Sequence, residues 1–203
     1  IIEVGKDVTK FKVGDRAGIT PLLEACKKCQ YCNEGKEYLC ELSKITGEAL
    51  KGGYADYITV TEDFATKVPN SMKAGYAAPL FCAGITAYKA VKAAEPKINK
   101  KIGIFGIGGV GHMAVQFAKI EKCKVIAFSR TQNHLDVAKR LGAMDAMIFS
   151  KEQEEFLSKL KERHGLLDAA IVFAPADIVT DTAIKSVKKG GIIVIATVGE
   201  NPE

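Results

Sequence analysis

The chain has 203 residues, 47% hydrophobic and 26% charged, values that argue against a disordered chain and allow one globular domain or two small ones. Its 29 Lys and Arg stand among 24 Asp and Glu, so the formal charge of +5 indicates only a weak preference for anionic partners. Apolar runs stay below the roughly 18 residues that a membrane span needs, and the first residues lack the layout of a signal peptide. We therefore expect a soluble, cytoplasmic protein without a membrane partner.

The first part of the chain, to about residue 70, has the pattern of an all-β structure. Its apolar runs are short and are separated by turn residues; they read FKVGDRAGI, GGYADYITV and FATKVP.

Four of the six cysteines lie within the segment CKKCQYCNEGKEYLC, at Cys26, Cys29, Cys32 and Cys40. In a reducing compartment such a cluster is more often a metal site than a disulfide framework. Bacterial ferredoxins share the CxxCxxC spacing, but their fourth cysteine follows after three residues and precedes proline. Here Cys40 follows after seven residues and precedes Glu41, which disfavours an iron–sulfur cluster. A zinc ribbon for nucleic acid would need a second CxxC pair, so we expect no nucleic-acid partner.

From about residue 76 the pattern changes to apolar strands that alternate with helical segments. An Ala-rich stretch, residues 76–94, is predicted to be helical and joins the two parts. The predicted strands are 102–106, 124–129, 145–150, 167–174 and 190–199, and the predicted helices are 109–122, 132–141, 152–164 and 177–189. Apolar strands with crossover helices indicate an α/β fold with a doubly wound parallel sheet.

A glycine-rich loop directly follows the first of these strands and opens a helix. It consists of Gly106, Ile107, Gly108, Gly109, Val110 and Gly111. In a strand–loop–helix unit such glycines let the backbone and the helix N-terminus approach a pyrophosphate. The series of further strand–helix units supports dinucleotide binding, whereas the loop alone would be weak evidence.

The residues after the second strand bear on the choice between the two nicotinamide cofactors. An acidic residue is usual there when NAD is bound, but this chain offers Ser129 and Arg130, with His134 one turn further on. Ser can donate a hydrogen bond to a 2′-phosphate and Arg a charge-assisted one. We therefore expect NADP(H), with NAD(H) as the alternative; Arg130 could also simply be a surface residue.

Five segments in order resemble the zinc-dependent alcohol dehydrogenases of the medium-chain dehydrogenase/reductase superfamily. They are VGKDVTKFKVGDRAGI, the cysteine segment, GGYADYITV, APLFCAGITAYKAV and GIGGVGHMAVQFAK. The resemblance covers essentially the whole chain. It implies a partial all-β (GroES-like) catalytic domain over residues 1–82 and a Rossmann-like domain over residues 83–203. It also implies that the four cysteines hold a structural zinc in a lobe over residues 26–40, which suits a closed site of four thiolates.

The resemblance also assigns roles near the reaction centre. It makes Cys82 a ligand of a catalytic zinc and places Thr86 beside the nicotinamide ring. Topology places Val198, at the end of the fifth strand, on the same edge. The family's other zinc ligands, a cysteine and a Gly-His-Glu motif, are not found, and a sixth strand is missing, so we expect an internal fragment.

The implied activity is hydride transfer between the nicotinamide cofactor and a small alcohol or aldehyde, in a homo-oligomer (dimer or tetramer). Two alternatives stay open. One is a zinc-free quinone or enone reductase of the same superfamily, against which the cysteine lobe argues. The other is a non-catalytic NADP-binding sensor, against which Cys82 argues.

Overall fold

The computed structural model describes residues 1–48 and 52–197. The chain divides into two units, Ile1–Cys82 and Ala83–Glu203, which are described separately below. In neither described range is there a helix that could cross a bilayer.

The first unit is built from short strands and loops. Its described strands are β1 (Ala17–Ile19), β2 (Leu22–Glu24), β3 (Lys44–Ile45) and β4 (Ala65–Lys67), and its helices are α1 (Gln30–Asn33) and α2 (Ala74–Pro79). β1 pairs with β4 and β2 pairs with β3, both antiparallel. The segment that carries the four cysteines runs from the end of β2 to the start of β3, so this small sheet closes it at both ends.

One predicted strand of this unit is wrong. Residues 52–60, the run GGYADYITV, form bends and irregular chain rather than a strand. Tyr54 and Tyr57 are exposed, and no described strand lies alongside to accept the backbone hydrogen bonds. Alternating apolar residues stabilise a strand only where a neighbouring strand and a buried face exist.

The Ala-rich stretch is helical, as predicted, but it is not one regular α-helix. α2 is followed by a π-helical segment, Leu80–Gly84, and then by α3 (Ile85–Ala93). Pro79 has no backbone N–H to donate, which weakens the regular hydrogen-bond pattern at this point.

The second unit is a five-stranded parallel sheet with helices on both faces, which confirms the predicted α/β fold. Its elements are β5 (Lys101–Phe105), α4 (Gly109–Ile120), β6 (Lys124–Ser129), α5 (Gln132–Leu141), β7 (Asp145–Ile148), α6 (Gln153–His164), β8 (Leu167–Val172), α7 (Asp177–Ser186) and β9 (Val187–Ile195). The strand order is β7-β6-β5-β8-β9. The order reverses between β5 and β8, which is where doubly wound folds bind their ligands.

Side chains of successive strand residues alternate between two buried layers. Ile102, Ile104 and Val125 pack with α3, α4 and α5 on one face of the sheet. Phe105 and Phe128 stack with a ring-centre distance of 4.4 Å on the other face, with α6 and α7. Burial on both faces explains why these strands are continuous apolar runs in the sequence.

Candidate cofactor cleft and metal centre

The four clustered cysteines converge on one point. The sulfur atoms of Cys26, Cys29, Cys32 and Cys40 all lie within 4.8 Å of one another. The Sγ atoms of Cys26 and Cys32 are 3.9 Å apart. Tetrahedral zinc with Zn–S bonds of about 2.3 Å requires sulfur atoms roughly 3.8 Å apart. The donor set and its spacing therefore fit a structural zinc ion.

Backbone groups also turn towards these sulfur atoms. The N–H of Cys29 donates to Cys26 Sγ at 3.3 Å, and the N–H of Cys26 donates to Cys40 Sγ at 3.5 Å. Donation from the N–H groups of Lys28 and Cys29 lowers the pKa of Cys26 to about 6. Burial and the neighbouring thiols raise the pKa of Cys32 to about 12. The loop itself thus stabilises the Cys26 thiolate, whereas ionisation of the Cys32 thiol needs a nearby cation.

The turn before β4 holds two other segments of the first unit, one of which is the cysteine lobe. The Asp63 carboxylate forms ion pairs with both Lys10 and Lys27. The hydrogen bonds and positive charges of these two lysines lower the pKa of Asp63 to about 2. Glu62 accepts the backbone N–H of Thr9 at 2.9 Å and that of Lys10 at 2.7 Å. The Lys27 ion pair holds the segment next to Cys26, and the other contacts hold the segment at Thr9 and Lys10. The ion pairs are solvent-exposed and individually weak.

The glycines of the 106–111 loop have different physical reasons to be glycine. Gly106 has φ +97°, and a Cβ on Gly111 would lie 1.9 Å from the Gly106 carbonyl oxygen. These two are required by the fold. Gly108, the N-cap of α4, has no atom within 4 Å of the corresponding Cβ position. No protein atom fills this space, and it lies beside the free N–H groups at the start of α4. A pyrophosphate would fit there.

A cavity of about 510 Å³ opens from this loop within the second unit. It follows the carboxyl ends of the parallel strands, from Phe105 and Gly106 to the residues after β6, β7 and β8. The walls contributed by Phe128, Phe149 and Phe173 are apolar. A mostly apolar cleft with a polar end has the character of a nucleotide site.

Ser129, Arg130 and His134 all line this cavity, so the structure brings them together with the glycine loop. The Ser129 hydroxyl is 3.3 Å from His134 Nδ1 and 3.5 Å from the Thr131 backbone N–H. Ser129 is buried, whereas the side chains of Arg130 and His134 are exposed. The polar end of the cleft is therefore a buried hydroxyl flanked by two basic groups.

The predicted residues near the reaction centre are placed as follows. Cys82 is exposed in the π-helical segment Leu80–Gly84, and Thr86 is exposed in the first turn of α3. Val198 lies outside the described residues. The roles of these three residues stay predictions.

One basic residue of the cleft was missed by the sequence interpretation. Lys151, two residues after Phe149, also lines the cavity. No motif marks it. The signal is topological, because the carboxyl ends of neighbouring parallel strands meet at one edge of a sheet.

Comparison with known proteins decides the family. The family model described as "Alcohol dehydrogenase GroES-like domain" matches residues 1–70, and the one described as "Zinc-binding dehydrogenase" matches residues 109–203. The chain belongs to the alcohol dehydrogenases of the medium-chain dehydrogenase/reductase superfamily. The first match agrees with the small β-sheets and cysteine lobe, and the second with the parallel sheet from α4 onwards.

Individual relatives agree with this family. An alcohol dehydrogenase of Geobacillus stearothermophilus is 40% identical over all 203 residues of the chain, which cover 59% of that protein. A cinnamyl alcohol dehydrogenase of Sorghum bicolor has a TM-score of 0.82 at 33% identity, with 99% of this chain and 60% of that one covered. The CAD protein of Helicobacter pylori, solved with NADP(H), has a TM-score of 0.83 at 29% identity. The match covers 99% of this chain and 57% of that one. The chain thus spans about three fifths of the length of these relatives.

Proposed function

We propose that this chain supplies the cofactor cleft and the structural metal lobe of an enzyme that transfers hydride between a nicotinamide cofactor and an alcohol or aldehyde. The observation that carries the proposal is the open space at Gly108, at the point of the sheet where the strand order reverses. Neither packing nor backbone strain accounts for a glycine there, whereas a bound pyrophosphate does.

The polar end of the cleft supports NADP(H) over NAD(H). Ser129 and Arg130 stand where the adenosine ribose is expected, and no Asp or Glu is among the described residues that line the cavity. A carboxylate would repel a 2′-phosphate, whereas a guanidinium binds it with charged hydrogen bonds. The Helicobacter pylori relative was solved with NADP(H).

Two metal roles belong to the proposal. Cys26, Cys29, Cys32 and Cys40 hold a zinc ion that orders the lobe, since the segment between them buries little apolar surface of its own. Cys82 is proposed as a ligand of a second, catalytic zinc. When bound, such an ion acts as a Lewis acid that favours the alkoxide or polarises the aldehyde. Thr86 is proposed to contact the nicotinamide ring.

The proposal includes the setting of the protein. Its substrates are small molecules, its partner is a further copy of itself in a dimer or tetramer, and its compartment is the cytoplasm. The net charge of +5 is spread over many ionisable residues of both signs, so the charge gives no support to a nucleic-acid-binding role.

Transfer of isotope from the cofactor tests the function directly. The purified full-length enzyme that contains this chain is supplied with NADPH that carries deuterium on the hydride-donating carbon, and with a panel of small aldehydes. We expect deuterium on the carbinol carbon of the product and loss of turnover after chelation of the metal. Tight NADPH binding without turnover of any aldehyde or alcohol would instead favour the non-catalytic sensor. Metal-independent reduction of quinones or enones would favour the zinc-free reductase.

A further inference from the structure

Three basic side chains line the same end of the cofactor cleft. Arg130 and His134 follow β6, whereas Lys151 follows β7. Two different strand ends thus contribute positive charge to one wall, and every described residue that lines this cavity is non-acidic.

The backbone pairing of β6 and β7 holds these loops together. Ser129 is in register with Ile148, and the N–H of Phe149 donates to the Ser129 carbonyl at 2.8 Å. Arg130 is one residue after this hydrogen bond on one strand, and Lys151 is two residues after it on the other. The sheet itself therefore fixes both loops at the polar end of the cleft.

The positive charges of Arg130 and Lys151 are not neutralised by an ion pair. Neither side chain forms one with any residue in the part of the chain that the structure describes. Lys151 also lines a neighbouring surface depression with Glu152, Glu154, Glu155 and Asp181, and Glu155 pairs with Lys159. Lys151 thus stands between an acidic helix start and the basic wall of the cleft.

We propose that Lys151 is a specificity-determining residue that, with Arg130, selects a cofactor carrying a 2′-phosphate. This inference rests on the proposed dinucleotide site. A phosphate monoester carries a charge of about −1.5 to −2 near pH 7, more than one guanidinium neutralises. Arg130 supplies a planar pair of donors, and the Lys151 ammonium supplies a mobile point charge from the opposite loop. The ribose of NAD(H) offers no such charge, so Lys151 has no favourable partner there.

Fragments of the cofactor test this residue independently of catalysis. Binding of 2′,5′-ADP and 5′-AMP is measured by calorimetry on the purified protein and on K151Q, K151R and K161Q. Lys161 is an exposed lysine on α6, the helix that follows Lys151, and lies outside the cavity, so K161Q is the control. We expect K151Q to weaken 2′,5′-ADP about three- to tenfold, as for a partly exposed charge pair, and to change 5′-AMP less than about twofold. K151R should retain most of the affinity, K161Q should leave both ligands unchanged, and the K151Q effect should shrink as salt is added.

The outcomes separate this inference from the function on which it rests. If the wild type binds both nucleotides but K151Q weakens them equally, or weakens neither, the role of Lys151 is overturned and the dinucleotide site stands. If the wild type binds neither nucleotide, nor NADPH or NADH, the dinucleotide site and the role of Lys151 are both overturned.

Discussion

The carbonyl oxygen of Gly106 occupies the space that a side chain on Gly111 would need, since a Cβ there would lie 1.9 Å from it. The start of α4 is thereby packed directly on the end of β5. This contact depends on both residues being glycine, and it points the first turn of the helix towards the cleft.

Substituting two glycines separately should distinguish folding from binding. G111A is expected to destabilise the second unit by about 3 kcal/mol, because the new methyl overlaps backbone atoms that cannot move freely. G108A should change stability by less than about 0.5 kcal/mol, since its methyl meets no protein atom, yet weaken NADPH at least about tenfold. Chemical unfolding and cofactor titration measure the two effects. Unimpaired cofactor binding by G108A would contradict the assignment of this loop to the pyrophosphate.

The fold of the second unit could be read from the sequence because its strands are buried on both faces. β6 was predicted with its observed bounds, Lys124–Ser129, and α5 likewise. β9 begins at Val187, three residues before the predicted start at Gly190, because its charged first residues hide the strand pattern. A long apolar run identifies a buried strand by itself, whereas the structure of a segment that mixes charged and apolar residues depends on the elements that pack against it.

The first unit and part of the cleft depend on partners far away in the sequence. GGYADYITV alternates like a strand, but alternation does not supply a neighbouring strand, so the prediction failed. The cysteine cluster was predictable because ligand spacing is local. Lys151 was not, because its place in the cleft arises only when β7 pairs with β6. Local motifs are visible in the sequence, whereas contributions from neighbouring strand ends require the topology.

Removal of one cysteine of the lobe should release its zinc. C40S replaces a buried sulfur of the cluster and leaves three ligands, so we expect the zinc content to fall by about one ion per chain and the lobe to lose order. C123S, at a cysteine outside the cluster, is the control and should keep its zinc. Elemental analysis gives the metal and its amount. Iron in the wild-type protein would show that the assignment to zinc is wrong.

An ion-pair cluster at the start of β7 should make stability depend on pH. The Asp145 carboxylate accepts a hydrogen bond from His164 Nε2 at 2.8 Å and forms an ion pair with Arg163, whose Nη2 is 2.9 Å away. Burial raises the pKa of Asp145, but the Ala146 N–H, the His164 hydrogen bond and the neighbouring charges outweigh burial and lower it overall. A lowered carboxyl pKa contributes stability above the unfolded-state value near 4 and loses it as pH falls through the folded-state value.

D145N should therefore lower the free energy of unfolding by about 1–3 kcal/mol near pH 7, and the difference from wild type should narrow below about pH 4. D136N changes an exposed carboxylate on α5 and serves as the control. Urea unfolding across this pH range measures both variants. A difference that stayed constant with pH would mean that Asp145 acts through packing rather than through its charge.

Cys82 should separate the two proposed metal roles. In the full-length enzyme that contains this chain, C82A is expected to lose the catalytic zinc and nearly all turnover, because a zinc site that loses a protein ligand binds its ion weakly. The lobe zinc and the unfolding transition should persist, since Cys82 is exposed and is not part of the lobe cluster. Zinc content and turnover are measured on the same preparation. Full activity with both metals retained would make Cys82 a surface cysteine.

Arg130 should set the preference between the two nicotinamide cofactors. Its exposed guanidinium lines the cleft beside the buried Ser129 hydroxyl, and it is not committed to an ion pair among the residues that the structure describes. A charged hydrogen bond contributes roughly 1.5–3 kcal/mol, or about a ten- to hundredfold change in affinity. We expect the wild type to bind NADPH more tightly than NADH. R130A should weaken NADPH binding by about that factor and change NADH binding little, since only NADPH carries the phosphate.

Arg140, an exposed arginine on α5 outside the cavity, provides the control variant R140A. Fluorescence titration of NADPH and NADH measures the six affinities of the wild type, R130A and R140A. Equal weakening of both cofactors by R130A, or equal affinity in the wild type, would return Arg130 to the role of a surface residue.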